Sequence, residues 1–123
     1  MGGVITPATY RKAETQGELL GRFARLMRDR YGATLYLFGS RARGTGRADR
    51  DYDIAAVSKE FQHYKMTARA VGGWSLWLEV GGWGTGLDLH CLTPEEFSEE
   101  IKYGWGYLGG SKKRGELIRI KAG

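Results

Sequence analysis

The sequence predicts an α/β (α+β) fold, a small mixed β-sheet with flanking helices, and two observations support this prediction. Short apolar runs rich in strand-forming residues alternate with segments of helical periodicity. The composition is globular, with 41% hydrophobic and 27% charged residues, so we expect a packed core and no low-complexity disorder. A chain of 123 residues fits one domain, and we therefore predict a single domain over residues 1–123.

The first predicted elements are a helix over residues 15–31 and a strand over residues 33–38. Apolar residues recur every three or four positions along the helix, which gives it one apolar stripe. Thr15 followed by Glu18 matches a capping box at its start, and Gly32 suits the left-handed position that ends a helix. The strand is short, apolar and rich in strand-forming residues.

The middle of the chain shows weaker patterns. Residues 52–57 predict a second strand, and residues 60–71 predict a helix with a poorly defined apolar face. Residues 75–80 suit either an extension of that helix or a strand, and the pattern leaves this choice open. Residues 86–92 predict a third strand.

The clearest local signal begins at Thr93. It is an N-cap residue followed by Pro94 at the first helical position and by Glu96 three residues after the cap. We therefore predict a helix over residues 94–103. The tail, residues 116–120, is expected to add an edge strand.

Charge and cysteine content limit the partners and the compartment. The formal net charge of +5 suits an anionic partner such as a nucleotide, and it suits an ordinary soluble surface equally well. The single cysteine, Cys91, excludes an internal disulfide and is interpreted as a buried, unreactive thiol. No apolar run approaches the length of a membrane span, and the first residues lack a signal peptide's apolar stretch. We therefore expect a cytoplasmic protein with no membrane partner.

The turn after the first strand is the candidate phosphate-binding segment. Gly39 lets the backbone approach a ligand closely, and a short helix after it would direct free N–H groups at an anion. The hydroxyl of Ser40 adds one more donor. Arg41 and Arg43 are candidate triphosphate contacts, and solvated side chains are an equally good interpretation of them.

Three aspartates are the candidate catalytic and metal-binding residues. Asp51 and Asp53 lie two residues apart at the start of the second strand, so both carboxylates are expected on one face. Side by side they repel each other unless a cation lies between them. Asp88 interrupts an apolar strand, where a charge needs a metal or, alternatively, an ion-pair partner. Mg²⁺ takes carboxylate, phosphate and water oxygens, and Asp88 would then activate the acceptor.

These residues resemble a known family. Gly39-Ser40, ten further residues, and Asp51-x-Asp53 are similar to the signature of the DNA polymerase β-like nucleotidyltransferase superfamily. The segment 39–44 resembles its minimal nucleotidyltransferase branch in particular. The resemblance implies a polymerase β-like core, Mg²⁺ or Mn²⁺, and transfer of a nucleoside monophosphate, with ATP as the expected donor, to a hydroxyl.

The resemblance covers about residues 17–103 and also implies site roles and partners. It places Asp88 where the family has its third carboxylate, beside the two aspartates of the motif as metal ligand and catalytic residue. It implies nucleotide binding by Gly39 and Ser40, to which Arg41 and Arg43 are added as candidates. Many minimal members pair with a helical HEPN protein and act as antitoxins by attaching AMP to a toxin tyrosine. A homo-oligomer is also left open.

Two positions depart from the family pattern and keep a second function open. Arg50 stands where the family usually has a small polar residue, and Tyr52 where it usually has an aliphatic one. Arg50 would screen the acidic cluster and lower metal affinity or activity. Together with the aromatic, glycine-rich stretch 72–86, it motivates an alternative: a weakly catalytic or non-catalytic module that neutralises a helical partner by contact. A nucleic-acid binder is a third hypothesis that rests on charge alone.

Two further residue types have ordinary structural interpretations. His90 is predicted to be structural rather than catalytic. The late tryptophans are predicted to fill the core and turns, unless several are exposed together, which would indicate a partner surface. These tryptophans are Trp74, Trp77, Trp83 and Trp105.

Overall fold

The computed structural model describes residues 16–43, 51–103 and 117–123. Helices and strands alternate along these ranges, as the α/β prediction requires. In those same ranges, no helix combines the length and apolarity that crossing a bilayer needs. In chain order the elements are α1 (Gln16–Tyr31), β1 (Thr34–Phe38), α2 (Ser40–Arg43), β2 (Tyr52–Val57), two 3₁₀ helices (Lys59–His63 and Met66–Ala68), α3 (Val71–Glu79), β3 (Leu87–Leu92), α4 (Pro94–Tyr103) and β4 (Ile118–Ile120).

The strands form one mixed sheet, which has four strands in the described ranges, in the order β3-β2-β1-β4. β2 and β3 are parallel, whereas β1 is antiparallel to both β2 and β4. A parallel pair needs a crossover connection, and the 3₁₀ helices and α3 supply it. Because β1 is antiparallel to β2, the end of β1 lies beside the starts of β2 and β3.

The larger core lies between α1, α3 and one face of the sheet. Phe23 and Met27 of α1 are fully buried there, one helical turn apart, which accounts for the apolar stripe. Phe23 meets Trp77 of α3 edge to face, with ring centroids 5.0 Å apart. A Cβ on Gly73 would lie 2.4 Å from Cδ2 of Leu89, so glycine lets α3 pack directly against β3.

The opposite face of the sheet packs against α4. Phe38, Ala55 and Leu92 are buried on this face. Tyr36 stacks on Phe97 of α4, with ring centroids 4.8 Å apart. The sheet is therefore covered on both sides. α4 covers the face on which Ala55 of β2 and Leu92 of β3 lie, and every second residue of these strands projects toward it.

The predicted capping box at the start of α4 is confirmed. The backbone N–H of Glu96 donates to Thr93 Oγ1 at 3.3 Å, and Glu96 Oε1 accepts from the Thr93 N–H at 2.8 Å. The buried Arg69 also donates to Glu96 Oε1 at 2.6 Å and to the Cys91 carbonyl at 3.3 Å. Burial alone would raise the pKa of Glu96, but these bonds to Thr93 and Arg69 lower it.

The element boundaries predicted from sequence agree with the structure except in the crossover. The predicted helix over 60–71 is wrong: two 3₁₀ helices occupy 59–63 and 66–68, and the α-helix begins only at Val71. The segment 75–80, which the pattern left open, belongs largely to α3. The capping pattern at Thr15 lies outside the described residues, whereas Gly32 has the expected positive φ of 65°.

The burial of Cys91 and of the tryptophans tests the predictions made for them. Cys91 is buried, which raises its pKa to about 12 and keeps it a thiol, as predicted. Trp77 is a core residue, also as predicted. Trp74 and Trp83 are not, since they are 55% and 46% exposed. Trp74 lies on the outer side of α3, which the sequence did not identify as a helix. Trp105 lies outside the described residues.

We expect Thr93→Ala to lower the free energy of unfolding by about 1 kcal/mol, because the N-cap hydroxyl accepts a helix N–H that would otherwise lack a protein partner. Urea denaturation measures the change. The matched control is Thr67→Ala, which removes the same hydroxyl from an exposed residue of a 3₁₀ helix. Equal losses in both variants would contradict a capping role for Thr93.

Candidate active site

Two of the predicted carboxylates lie side by side at the end of the sheet. Asp53 is the pairing partner of Phe38 at the end of β1 and of Asp88 near the start of β3. Residues paired on neighbouring strands project to the same face, and this is the face covered by α4. The structure therefore brings Asp53 and Asp88 together on one side of the sheet.

The electrostatics of Asp53 show that negative charge is concentrated here. Burial raises the pKa of Asp53, the charge of Asp88 raises it further, and Asp51 contributes in the same direction. A hydrogen bond between Asp53 and Asp88 also raises this pKa, while His90 opposes the shift. The charge of Asp53 is thus not neutralised by its surroundings, and a cation beside it would be stabilising.

Gly39 allows the carboxylate of Asp53 to lie against the turn after β1. Its φ is +74°, and a Cβ built at this position would lie 2.3 Å from Asp53 Oδ2. The carbonyl of Gly39 accepts from the Ala42 N–H at 3.1 Å, which closes the turn into α2. Ser40 follows directly as the first residue of α2. The turn and the acidic pair are therefore in direct contact, which the glycine-serine motif alone did not reveal.

Arg41 lies on the ring of Tyr52. Its guanidinium carbon is 3.9 Å from the ring centroid, the geometry of a cation–π contact. Tyr52 is buried on the α1–α3 face, where it also meets Trp77. Burial raises the pKa of Tyr52, and the charge of Arg41 acts against this. The aromatic ring at this departure from the family pattern therefore holds Arg41 through a cation–π contact.

Asp51 lies at the start of β2 with its carboxylate against Gly86. A Cβ on Gly86 would come within 1.9 Å of Asp51 Oδ1. The Tyr52 N–H donates to the Gly86 carbonyl at 2.9 Å, which fixes the two strand starts together. The sequence analysis missed Gly86, although a glycine at the start of a strand that carries a candidate catalytic acid was a usable signal.

His90 and Glu100 extend the polar surroundings of the pair. His90 Nε2 lies 3.2 Å from Asp88 Oδ2 but makes no hydrogen bond to it. The His90 ring meets the Phe38 ring edge to face, with ring centroids 5.4 Å apart. Burial raises the pKa of Glu100 on α4, and the charge of His90 lowers it. His90 thus packs as a structural residue while it neighbours the acids. Glu100 was missed, because only tertiary packing brings α4 over this face.

The carboxylate oxygens of Asp53 and Asp88 suit a hard divalent cation, although the structure does not gather three protein ligands around one point. Within residues 16–43, 51–103 and 117–123, no three His, Cys, Asp or Glu side chains form a metal cluster. Mg²⁺ commonly uses one or two carboxylates and completes its shell with phosphates and water. Asp53 and Asp88, which offer oxygen ligands only, fit that requirement as a pair. Asp51 is near enough to raise the pKa of Asp53 but lies against Gly86.

The nucleotide-binding roles of Ser40, Arg41 and Arg43 stay predictions. Ser40 and Arg43 belong to the short helix α2, and the structure describes their backbone only. Arg41 contacts the ring of Tyr52, which is buried on the α1–α3 face. Arg50, which was expected to screen the acids, lies outside the described residues.

We expect Gly39→Ala to displace the Asp53 carboxylate and to reduce metal-dependent nucleotide binding at least about tenfold, because Cβ and Oδ2 cannot both keep their places. Calorimetric titration with Mg²⁺ and a nucleoside triphosphate measures this. The control is Gly32→Ala, which has a similar positive φ of 65° but open space around its Cβ. Both variants should lose about 1 kcal/mol of stability to backbone strain. Equal binding losses would exclude a role for the Gly39–Asp53 contact.

We expect Asp53→Asn to raise the melting temperature of the metal-free protein by a few degrees at neutral pH, because it removes a partly buried charge and the repulsion between that charge and Asp88. The folded-state pKa of Asp53 is raised, so its ionised form destabilises the fold at neutral pH. The gain should vanish as the pH falls below the usual value of 3.8, where the wild-type carboxyl is protonated in both states.

Differential scanning calorimetry at several pH values tests this expectation. The control is Asp29→Asn. Asp29 is exposed on α1, and its Oδ1 lies 3.6 Å from Arg28 Nε, so this variant should not have a raised melting temperature. A lower melting temperature for Asp53→Asn at neutral pH would show that the pair is not repulsive.

Comparison with known proteins agrees with this geometry. The chain matches the nucleotidyltransferase domain family over residues 20–118, which include β1, α2, β2 and β3 and therefore the whole acidic site. Neither the curated proteins nor the solved structures contain a significant match. The mixed sheet with flanking helices is consistent with a polymerase β-like nucleotidyltransferase fold. Since the match covers most of the chain, this protein belongs to the nucleotidyltransferase domain family.

Proposed function

We propose that this protein is a metal-dependent nucleotidyltransferase that transfers AMP from ATP to a hydroxyl acceptor. The observation that carries the proposal is the pairing of Asp53 with Asp88 on neighbouring strands, with the Asp53 carboxylate against the Gly39 turn. The family match supports nucleotidyl transfer as the type of reaction. Mg²⁺ or Mn²⁺ is proposed as the cation, since both accept carboxylate and phosphate oxygens.

The turn after β1 and the acidic pair would have different roles in the reaction. The backbone at Gly39 and Ser40 would receive the β- and γ-phosphates, with Arg41 and Arg43 as added positive charge. Asp53 and Asp88 would hold the cation, with Asp51 beside them. A bound divalent cation would screen the phosphate charge and lower the pKa of the acceptor hydroxyl.

Asp88 is the proposed acceptor of the hydroxyl proton. Its side chain is 59% exposed, so an incoming acceptor can reach it, whereas Asp53 is half-buried. The acceptor oxygen would attack the α-phosphorus, the bond to pyrophosphate would break, and the proton would pass to the carboxylate of Asp88.

A partner protein is the proposed source of the acceptor. The resemblance of segment 39–44 to minimal nucleotidyltransferases makes a helical HEPN-type toxin the first candidate, with this protein as its antitoxin in the cytoplasm. The reaction would attach AMP to a hydroxyl side chain of that partner. This step is proposed from the resemblance, and Asp88 at the exposed edge strand β3 gives such an acceptor access.

A second candidate function is neutralisation of a helical partner by contact alone. It is favoured by the exposed apolar side chains of Val71, Trp74 and Leu78, which lie along the outer side of α3. The exposure of two of the predicted core tryptophans is the observation that the sequence analysis set as a sign of a partner surface.

Incubation with α-labelled ATP, Mg²⁺ and a HEPN-type partner, followed by mass spectrometry, tests the proposal. The wild-type protein should add AMP, and Asp53→Asn or Asp88→Asn should reduce the rate by about 100-fold or more, since these variants remove a cation ligand or the proton acceptor. Asp29→Asn and chelation with EDTA are the controls. Unchanged transfer by Asp53→Asn would refute the mechanism. Full toxin neutralisation by an Asp51→Ala/Asp53→Ala double variant would favour contact alone.

A further inference from the structure

We infer that a cavity between α3 and the start of β3 binds the base of the donor nucleotide, an inference that rests on the proposed function. The cavity has a volume of about 320 Å³. We call it the base pocket and define it by Asp51, Trp74, Leu78, Gly86 and Leu87, which line it. Ligand pockets commonly measure about 300–1,000 Å³, so this one suits a single ring system better than a whole nucleotide.

The position of the base pocket fits the nucleoside rather than the pyrophosphate or the acceptor. Asp51 belongs both to the acidic site and to the pocket wall, so the two are continuous. In an in-line displacement, the leaving group and the attacking oxygen lie on opposite sides of the α-phosphorus. With the phosphates at Gly39 beside β1 and Asp88 on β3, that axis follows the strand order β1-β2-β3.

The base pocket lies off this axis. Asp53 and Asp88 project toward α4, whereas Leu87 pairs with the core residue Tyr52 and projects toward α3. The acids and the base pocket therefore lie on opposite faces of the sheet and meet at its end, at Asp51. The direction from one to the other is at right angles to the strand order. The nucleoside is the part of the substrate that leaves the α-phosphorus in such a direction.

The walls of the base pocket are those of a stacking site. Trp74 is 55% exposed and Leu78 is 49% exposed, and the two lie one helical turn apart on α3. An indole surface open to solvent beside an apolar cavity offers a planar partner for a ring. Below it, Trp77 Nε1 donates to the Thr85 carbonyl at 2.8 Å, which holds the loop that forms the floor.

Besides the Asp51 carboxylate, which the proposed function assigns to the cation, and the Thr85 hydroxyl, the pocket has few polar groups with which to read the edge of a base. The Thr85 carbonyl already accepts from Trp77, and the Thr85 N–H donates to the Gly82 carbonyl at 2.9 Å. The Gly86 carbonyl accepts from the Tyr52 N–H. Recognition should therefore depend on stacking, which is tolerant of base identity and favours larger rings. Purine nucleotides should bind more tightly than pyrimidine nucleotides, with little difference between adenine and guanine.

Calorimetric titration of the full chain with Mg²⁺ and the α,β-methylene analogue of ATP tests the inference without catalysis. Trp74→Ala should weaken binding by about 5- to 150-fold, the range for loss of one base–aromatic stack. The same variant should bind inorganic tripolyphosphate as the wild type does. Trp74→Phe should recover most of the affinity. The matched control is Trp83→Ala, an exposed tryptophan that does not line the pocket and should bind like the wild type.

The outcomes separate this inference from the proposed function. Wild-type binding of the analogue, lost in Trp74→Ala and kept in Trp83→Ala, supports the base pocket. Wild-type binding that Trp74→Ala leaves unchanged overturns the base pocket and leaves the nucleotidyltransferase proposal standing. A Trp74→Ala variant that binds normally but needs more acceptor protein assigns the cavity to the acceptor and also overturns it. No binding of the analogue by the wild type overturns the proposed function and the base pocket together.

Discussion

The parallel pairing of β2 with β3 holds the carboxylates of Asp53 and Asp88 next to each other, and this unfavourable proximity is the constraint on which the site depends. Burial of the Asp53 carboxylate raises its pKa most, and the charges of Asp88 and Asp51 raise it further. The strands nevertheless keep this register because Ile54 and Leu89, the next residues along, are buried together in the core. A slip of one residue would turn both sets of side chains to the wrong faces. The apolar core thus supplies the free energy that keeps two like charges together.

Glycines determine how closely the surrounding elements approach these acids. Gly39 brings the turn after β1 against Asp53, and Gly86 brings the start of β3 against Asp51. Gly73 does the same on the far side of the sheet, where it allows α3 to lie directly on Leu89. In a chain with 20 glycines, these three have specific steric roles that a side chain of any size would obstruct.

The features that local patterns determine were predictable, and those that depend on tertiary packing were not. The strand boundaries and the Thr93 capping box follow from residue type and spacing, whereas the place of Asp88 beside Asp53 was expected only from the family resemblance. The crossover was predicted poorly because the first turn of α3 contains Gly72 and Gly73, which helix propensity disfavours and close packing requires. The contacts of Arg41 with Tyr52 and of Asp51 with Gly86 join segments distant in sequence, so no local pattern encodes them.

The middle residue of the acidic motif has a consequence for how the protein loses its site. Tyr52 stands between two candidate catalytic aspartates, yet its own side chain is 1% exposed and packs with Trp77 in the principal core. Alternation along one short strand thus anchors the acids to the interior through the adjacent backbone. Local opening at this strand would disrupt the core, so the competence of the site and the cooperativity of the whole domain are lost in the same event.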